Sequence, residues 1–337
     1  MITILSIDGG GIRGIIPATF LAHIEKLTGR PICSMFDYIA GTSTGGIITA
    51  MLTARGEGKN PKYSAAEVRA LYEKLGKKVF DTSALRRVRT LRGIAAPKYS
   101  AAPLERLLRE HLGDARLHST LTNVLMPAYD MGSCAPWFFK TRHARRSTLL
   151  TQQSRGASEK DPLLWQAVRA TTAAPTFFPP YSMHGRCLID GGVFANNPML
   201  CAYAEAQRAE RGAPEILAVS VGTGENCQTT ACGKIQKWGS VKWVLPLFGV
   251  FINSSSATVD YQMRALIGTA LYKRYQIQIE KEHEAMDDAS AENIARLNAY
   301  GRALIARNLE SIEILCKILK AVPDKRTVFE KDGGEFT

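Results

Sequence analysis

Short apolar runs alternate with segments of helical spacing over the first 55 residues of the chain. Strands are predicted at residues 2–7 and 36–40, because both runs are apolar and rich in β-forming residues. Helices are predicted at residues 16–27, where Gly29 then ends the pattern, and at residues 47–54. This alternation favours an α/β fold with a mostly parallel sheet and crossover helices.

The rest of the chain continues the same two patterns. Further helices are predicted at residues 64–80, 103–112, 163–174 and 291–320. Further strands are predicted at residues 121–130, 136–140, 187–190 and 216–221. No Gly/Ser-rich linker and no fixed-period repeat divides the chain. We therefore predict a single domain over residues 1–320, followed by a polar C-terminal tail at residues 321–337.

A G-x-S-x-G turn separates the second predicted strand from the second predicted helix. Its residues are Gly41-Thr42-Ser43-Thr44-Gly45. A nucleophilic serine at such a turn needs small neighbours, because the backbone is strained and the hydroxyl must project. The following helix directs its N-terminal dipole at the turn. Ser43 is therefore the candidate nucleophile, with Gly41 and Gly45 as its elbow; the alternative is a glycine-rich turn in which Ser43 only caps the helix.

The base that would activate this serine is predicted to be an aspartate. None of the six histidines is well placed: His184 precedes the best acidic candidate, and His283 lies in a very polar segment. Asp190 ends an apolar run and is followed by Gly191 and Gly192, which expose its carboxylate in a turn. A carboxylate beside a serine can accept its proton when desolvation raises the carboxyl pKa. The alternative for Asp190 is a turn-forming or helix-capping role.

The segment DGGGIRG (8–14) lies between the first strand and the first helix. Consecutive glycines let backbone N–H groups converge on an anion without obstruction by side chains. We expect an oxyanion hole there, while Arg13 either orients the loop or meets a phosphate. The donors would come from three glycines, Gly9, Gly10 and Gly11.

The same glycines also fit the dinucleotide pattern G-x-G-x-x-G. That pattern requires an acidic residue about 20 positions further on, at the end of the next strand. Asp37 lies inside the next predicted strand, just before the GTSTG turn. The fit is poor, and dinucleotide binding is disfavoured.

The chain is basic, with 43 Lys and Arg against 31 Asp and Glu and a net charge of +12. Such a surface favours polyanions, namely nucleic acid, nucleotides or anionic lipid headgroups, whereas the alternative is a solvated basic face. Two clusters carry the excess charge: Arg86, Arg87, Arg89 and Arg92, and Lys140, Arg142, Arg145 and Arg146.

The segment Trp238–Ile252 is apolar and aromatic, and it is interrupted by Pro246 and Gly249. It is too short to span a bilayer. One interpretation is a lid or interfacial wedge that admits acyl chains, and the other is a buried core segment. With the basic clusters, the first interpretation predicts transient docking on an anionic membrane. Because no signal h-region and no apolar stretch of about 20 residues is present, a cytoplasmic protein with peripheral membrane contact is expected.

Several ordered segments of the chain resemble the patatin-like phospholipase family, in particular its plant-patatin-like bacterial branch. The resemblance covers about residues 1–310. It implies a three-layer α/β/α fold and a lipid acyl hydrolase of the phospholipase A type that needs no metal and no cofactor. The matching segments are DGGGIRG (8–14), GTSTG (41–45), APKYSAAPLERLLREHLGDARL (96–117), RATTAAPTFFPP (169–180), DGGVFANNP (190–198) and SVGTG (220–224).

The resemblance also implies roles by position. Ser43 matches the family's nucleophile and Asp190 its dyad aspartate, in a mechanism without histidine. Gly10 and Gly11 match the oxyanion donors, with Gly9 adjacent, and Arg13 matches the loop arginine.

Three hypotheses about partners follow. The first is a phospholipid substrate. The second, compatible with it, is activation by a cyclic nucleotide, because some bacterial relatives are membrane-degrading antiphage effectors switched on in this way. The third is a non-enzymatic basic binding protein, which is disfavoured because the chain has no recognised nucleic-acid motif, so no nucleic-acid duplex is expected as a partner.

Overall fold

A computed structural model describes residues 1–80, 96–151, 159–210, 215–226, 232–236 and 239–326. The strands in these ranges are β1 (Ile2–Ile7), β2 (Tyr38–Gly41), β3 (Asn123–Asp130), β4 (Ala135–Lys140), β5 (Tyr181–Met183), β6 (Arg186–Asp190), β7 (Ile216–Val221) and β8 (Tyr272–Tyr275). The helices are α1 (Ile15–Thr28), α2 (Thr44–Thr53), α3 (Ala65–Val79), α4 (Ala102–Leu112), α5 (Thr141–Thr151), α6 (Leu164–Thr171), α7 (Gly192–Ala195), α8 (Met199–Ala209), α9 (Cys232–Ile235), α10 (Ser240–Leu271), α11 (Ala291–Arg307) and α12 (Leu309–Ala321).

One mixed sheet organises the domain. Its strand order is β5-β6-β3-β2-β1-β7-β8, and β4 pairs with β3 off this path. The four adjacent pairs β3–β2, β2–β1, β1–β7 and β7–β8 are parallel, as the strand–helix alternation predicted. Antiparallel pairing occurs at one side, where β3–β4 and β5–β6 form hairpins that short turns can close.

Both faces of the sheet are covered by helices. Leu5 and Ile7 of β1 belong to a core with α1, α2, α3, α4, α6, α11 and α12. Ile4 of the same strand belongs to a second core with α8 and α10. Since β1 is buried on both sides, its sequence carries no charged residue and no regular alternation of apolar and polar positions. The predicted three-layer α/β/α arrangement is confirmed.

The pairing along β3 decides where the site forms. β4 occupies one edge of β3, so β2 and β6 must share the other edge. The β2 strand runs toward the middle of β3 and places Ala40 opposite Leu125. The β6 strand runs in the opposite direction and places Asp190 opposite Ala128. The carboxyl ends of β2 and β6 therefore meet, and the turns that follow them become neighbours.

The prediction of one continuous helix at residues 291–320 is wrong, because α11 and α12 are separated at Asn308. This residue has φ −126° and ψ 19°, outside the helical region. Its side-chain amide donates to the Leu304 carbonyl at 2.8 Å. Asparagine side chains compete in this way with backbone hydrogen bonding, so the apolar pattern continues while the helix breaks.

The first residues of the predicted tail contact the domain. The Lys325 ammonium lies 3.0 Å from the Asp37 carboxylate. Asp37 also accepts from the backbone N–H of Thr3 at 2.8 Å, at the start of β1 and so at the opposite end from the glycine loop. This placement agrees with the poor fit of Asp37 to a dinucleotide site. Residues 327–337 lie outside the described residues.

Most of the apolar segment 238–252 lies in the long helix α10, and Trp238 lies outside the described residues. Leu247, Val250 and Phe251 are 39%, 47% and 49% exposed, so these three side chains are not core. Ile252 beside them is only 5% exposed. Among the helices of the described chain, none combines the length and the apolar character needed to cross a bilayer.

Candidate active site

Ser43 lies at the sharp turn between β2 and α2. Its φ of 53° and ψ of −119° are strained for a residue with a side chain. A Cβ added to Gly41 would lie 2.2 Å from the Gly45 carbonyl oxygen, and one added to Gly45 would lie 2.1 Å from that of Ile7. The elbow therefore requires both glycines, and the strand–turn–helix setting predicted for Ser43 is the one observed.

Thr171, at the end of α6, holds this turn against the sheet. The Ser43 backbone N–H donates to the Thr171 hydroxyl oxygen at 3.1 Å. That hydroxyl donates in turn to the Pro127 carbonyl of β3 at 2.5 Å. Thr171 is thus a support of the strained serine that the sequence analysis missed, although it lies inside the RATTAAP segment.

Asp190 ends β6 and is 2% exposed. Its carboxylate accepts the Gly192 backbone N–H at 2.7 Å and lines the same pocket as Ser43. Burial raises the pKa of Asp190 to about 7, and the nearby Ser43 hydroxyl and the Gly192 N–H partly oppose the rise. A Cβ on Gly191 would lie 2.3 Å from the Pro127 carbonyl oxygen, so the turn after Asp190 also needs glycine. The structure thus joins a hydroxyl to a carboxylate that can accept a proton near neutral pH.

Gly10 and Gly11 line the same pocket as Ser43 and Asp190. In the described part of the chain, the backbone N–H groups of these two glycines donate to no protein acceptor. Gly11 has φ 60°, and a Cβ there would lie 2.0 Å from the Met286 carbonyl oxygen. The two amides are therefore free to bind an oxyanion beside Ser43.

Gly9 and Arg13 do not reach this pocket. The Gly9 N–H donates to the Asn196 carbonyl at 3.1 Å, so it is not free to bind an anion. Arg13 is 4% exposed, burial lowers its pKa to about 10, and its Nε donates to the Gly10 carbonyl at 3.4 Å. Of the four residues predicted for the oxyanion hole, Gly10 and Gly11 line the pocket, whereas Gly9 and Arg13 hydrogen-bond within the protein.

A buried ion pair lies directly before the glycine loop. The two guanidinium nitrogens of Arg274 on β8 contact the two Asp8 carboxylate oxygens at 2.6 and 2.9 Å. Arg274 also donates to the Ser220 hydroxyl at 2.8 Å. No sequence pattern marks Arg274, because only the sheet order places β8 near the end of β1.

The basic cluster Lys140–Arg146 is largely engaged by acceptors inside the domain. Lys140 lies 2.6 Å from the Glu205 carboxylate, and Arg142 lies 3.6 Å from that of Glu210. Arg145 donates to the backbone carbonyls of His118 and Thr120. Three cations of the cluster therefore have internal partners. The cluster Arg86–Arg92 lies outside the described residues.

An apolar channel leads away from Ser43. Its empty volume is about 1030 Å³ when the open mouth is included. His111, in the last turn of α4, also lines this channel, and its Nδ1 lies 2.9 Å from the Tyr63 hydroxyl oxygen. From Ser43 to Met51 the α2 wall is eight residues long, or about 12 Å at 1.5 Å per residue. The walls are stripes on α2, α3 and α4, including Ile47, Met51, Leu71, Leu75, Leu107 and Leu108.

Several known proteins are similar to this chain. A family model described as "Patatin-like phospholipase" matches residues 5–203. "Patatin-like protein 2" of Oryza sativa subsp. indica is 33% identical, over 93% of this chain and 86% of that protein. "Probable inactive patatin-3-Kuras 1" of Solanum tuberosum is 29% identical, over 97% of this chain and 94% of that protein. The crystal structure of VipD from Legionella pneumophila aligns with a TM-score of 0.43 and 12% identity, over 92% of this chain and 67% of that chain.

Proposed function

Because the chain belongs to the patatin-like phospholipase family, we propose that it hydrolyses fatty acyl esters of membrane phospholipids at Ser43, with Asp190 as the base. One similar protein is named probably inactive, so membership of the family does not by itself establish that this chain is active. The observation that carries it is the placement of Ser43 and the buried Asp190 carboxylate in one pocket, beside two free amides and an apolar channel.

The chemistry proceeds in two half-reactions. Asp190 accepts the Ser43 proton while the serine oxygen attacks the ester carbonyl. The N–H groups of Gly10 and Gly11 stabilise the oxyanion, and each such donor is typically worth about 2.7–4 kcal/mol. Asp190 then returns the proton to the departing alcohol, a lysophospholipid. Water deprotonated by Asp190 finally attacks the acyl-enzyme, and Asp190 returns that proton to the Ser43 oxygen as the fatty acid leaves.

The direct test uses purified protein and a diacyl phospholipid. We expect equal amounts of free fatty acid and lysophospholipid by mass spectrometry, and a mixed lipid extract would identify the preferred headgroup. Absence of fatty acid release from every phospholipid offered would refute the proposal. No contact among the described residues indicates activation by a cyclic nucleotide. The same assay with and without a cyclic dinucleotide tests this hypothesis.

The channel predicts how acyl chain length affects the rate. An extended chain advances about 1.2 Å per bond, so 12 Å of channel accommodates about ten bonds of the acyl chain. Tryptophan in place of Leu107 is expected to fill the channel. The ratio of kcat/KM for a sixteen-carbon over a four-carbon nitrophenyl ester should fall at least about ten-fold. Glu110→Trp, on the exposed side of the same helix, is the control. Equal losses on both esters would show that Leu107 does not line the acyl site.

The exposed face of α10 predicts how the protein reaches a membrane. Leu247, Val250 and Phe251 lie on one side of the helix, and the next residue, Ile252, lines the channel. We expect this face to enter the boundary between headgroups and acyl chains. The double variant Leu247→Ser and Phe251→Ser should lose about ten-fold on anionic vesicles, because less apolar surface enters the bilayer.

The same double variant should hydrolyse a soluble four-carbon ester at the normal rate. The control is Leu266→Ser, which changes a leucine 58% exposed near the other end of α10. A loss of the same size on both substrates would assign the face to folding rather than to membrane contact.

A further inference from the structure

Thr223 lies two residues beyond the end of β7 and directly against the glycine loop. It is 2% exposed, and its hydroxyl donates to the Gly9 carbonyl at 2.7 Å. A Cβ added to Gly10 would lie 2.3 Å from the Thr223 hydroxyl oxygen. The loop therefore has glycine at position 10 partly because Thr223 occupies the adjoining space.

This hydrogen bond fixes the direction of a different group, the Gly10 N–H. The Gly9 carbonyl and the Gly10 N–H belong to one planar trans peptide, in which they point in opposite directions. Holding the carbonyl toward Thr223 turns the Gly10 N–H away from Thr223. Gly10 lines the pocket of Ser43, whereas Thr223 is not among the residues that line it.

The next peptide of the loop is held in the same way. The Gly10 carbonyl accepts from the backbone N–H of Arg13 at 3.2 Å and from its Nε at 3.4 Å. The Gly11 N–H, in the same peptide plane, is thereby turned in the opposite direction. Thr223 and Arg13 thus each orient one of the two free amides.

We propose that Thr223 is a positioning residue that directs the Gly10 N–H into the oxyanion hole. This inference rests on the proposed function. Glycine has wide conformational freedom, so without the hydroxyl the peptide between Gly9 and Gly10 can rotate and withdraw its N–H. The lost interaction is one made with the oxyanion of the transition state, so kcat should fall while KM stays nearly constant.

The experiment compares Thr223→Val, which keeps the shape of the side chain and removes the hydroxyl, with Thr223→Ser, which keeps the hydroxyl. On a soluble short-chain ester we expect the valine variant to lose about 10- to 100-fold in kcat, somewhat less than complete removal of a donor. KM should change less than two-fold, and the serine variant should recover to within a few-fold of the unaltered protein.

Two inhibitors separate positioning from a merely structural role. A trifluoromethyl ketone with an acyl tail forms an oxyanion on Ser43, so the valine variant should bind it more weakly by the same factor as its loss in kcat/KM. An ether analogue of the substrate forms no oxyanion and should bind both proteins equally. The matched control is Thr28→Val, which removes another buried hydroxyl, bonded to the Ile24 carbonyl at 2.7 Å and remote from the loop.

The outcomes are distinguishable. Unchanged kcat in Thr223→Val, or equal losses in the valine and serine variants, would overturn the role of Thr223 while Ser43-dependent hydrolysis by the unaltered protein leaves the proposed function standing. Lack of Ser43-dependent hydrolysis in the unaltered protein would overturn both.

Discussion

Alanine in place of Ser43 is expected to slow fatty acid release from phospholipid at least about 10⁴-fold, as removal of a nucleophile does in other serine hydrolases. The Ser43 oxygen is the atom that the acyl group must join, and the elbow holds it in a strained conformation that no neighbouring hydroxyl can reproduce. Asp190→Asn should lower kcat about 10²–10⁴-fold, since asparagine cannot accept the serine proton.

These losses are measured as initial rates on phospholipid micelles, together with mass spectrometry of covalent labelling by an organophosphonate. Labelling should disappear in Ser43→Ala and become slow in Asp190→Asn. Asp161→Asn is the matched control, because Asp161 is also buried, 5% exposed, and pairs with His118 rather than with the serine. Activity within a few-fold of normal in either site variant would remove that residue from the mechanism.

The raised pKa of Asp190 predicts a pH profile. The reaction needs the ionised carboxylate, and its pKa is about 7 because of burial. Below that pH, kcat/KM should therefore fall about ten-fold for each unit of acidification, and above it should level off. Measurement on a soluble ester from pH 5 to 9 checks this, and a midpoint near the ordinary carboxyl value of 3.8 would contradict the assignment.

The same pKa predicts that Asp190 lowers the stability of the protein above acid pH. The unfolded chain ionises Asp190 near 3.8, whereas the folded protein retains its proton up to about pH 7. Across that interval the folded state binds the extra proton, so stability falls as pH rises, by about 1.4 kcal/mol per unit and about 4 kcal/mol in total. Above pH 7, Asp190 is ionised in both the folded and the unfolded state, and the loss of stability no longer changes with pH.

Asp190→Asn should therefore be more stable than the unaltered protein, although it is much less active. The gain in the free energy of unfolding should be near zero at pH 4 and reach several kcal/mol at pH 8. Denaturant unfolding at pH 4, 6 and 8 measures it, with Asp161→Asn for comparison. A gain that does not change with pH would show that burial does not perturb Asp190 as the structure implies.

Local features of the sequence determined much of this protein. The uncharged run of β1 and the strand–helix alternation specified a parallel sheet covered on both faces, because a strand buried on two sides carries no charged, solvent-facing positions. The elbow around Ser43 was also readable, since the G-x-S-x-G residues lie within one short turn and Gly41 is required by its contact with Gly45 in that turn. Gly29 ends α1 with φ 68°, as its position after the helical pattern predicted.

Other features were decided only by contacts between distant parts of the chain. The apolar pattern does not say which edge of β3 a strand joins, so the meeting of β2 with β6 could not be derived from it. Strands β5 and β8 and helix α8 were missed, because short or half-exposed segments carry too few apolar positions for a periodicity.

The hydrogen-bond partners in the glycine loop were likewise beyond the sequence pattern. A run of glycines shows that backbone N–H groups can bind an anion, but not which of them already have protein acceptors. Gly9 donates to Asn196, far along the chain, and Thr223 holds the carbonyl that orients Gly10. The sequence determined the chemical groups and the local turns that carry them, whereas the tertiary fold decided which of those groups meet, because partners so distant in the chain are brought together only by the packing of the whole sheet.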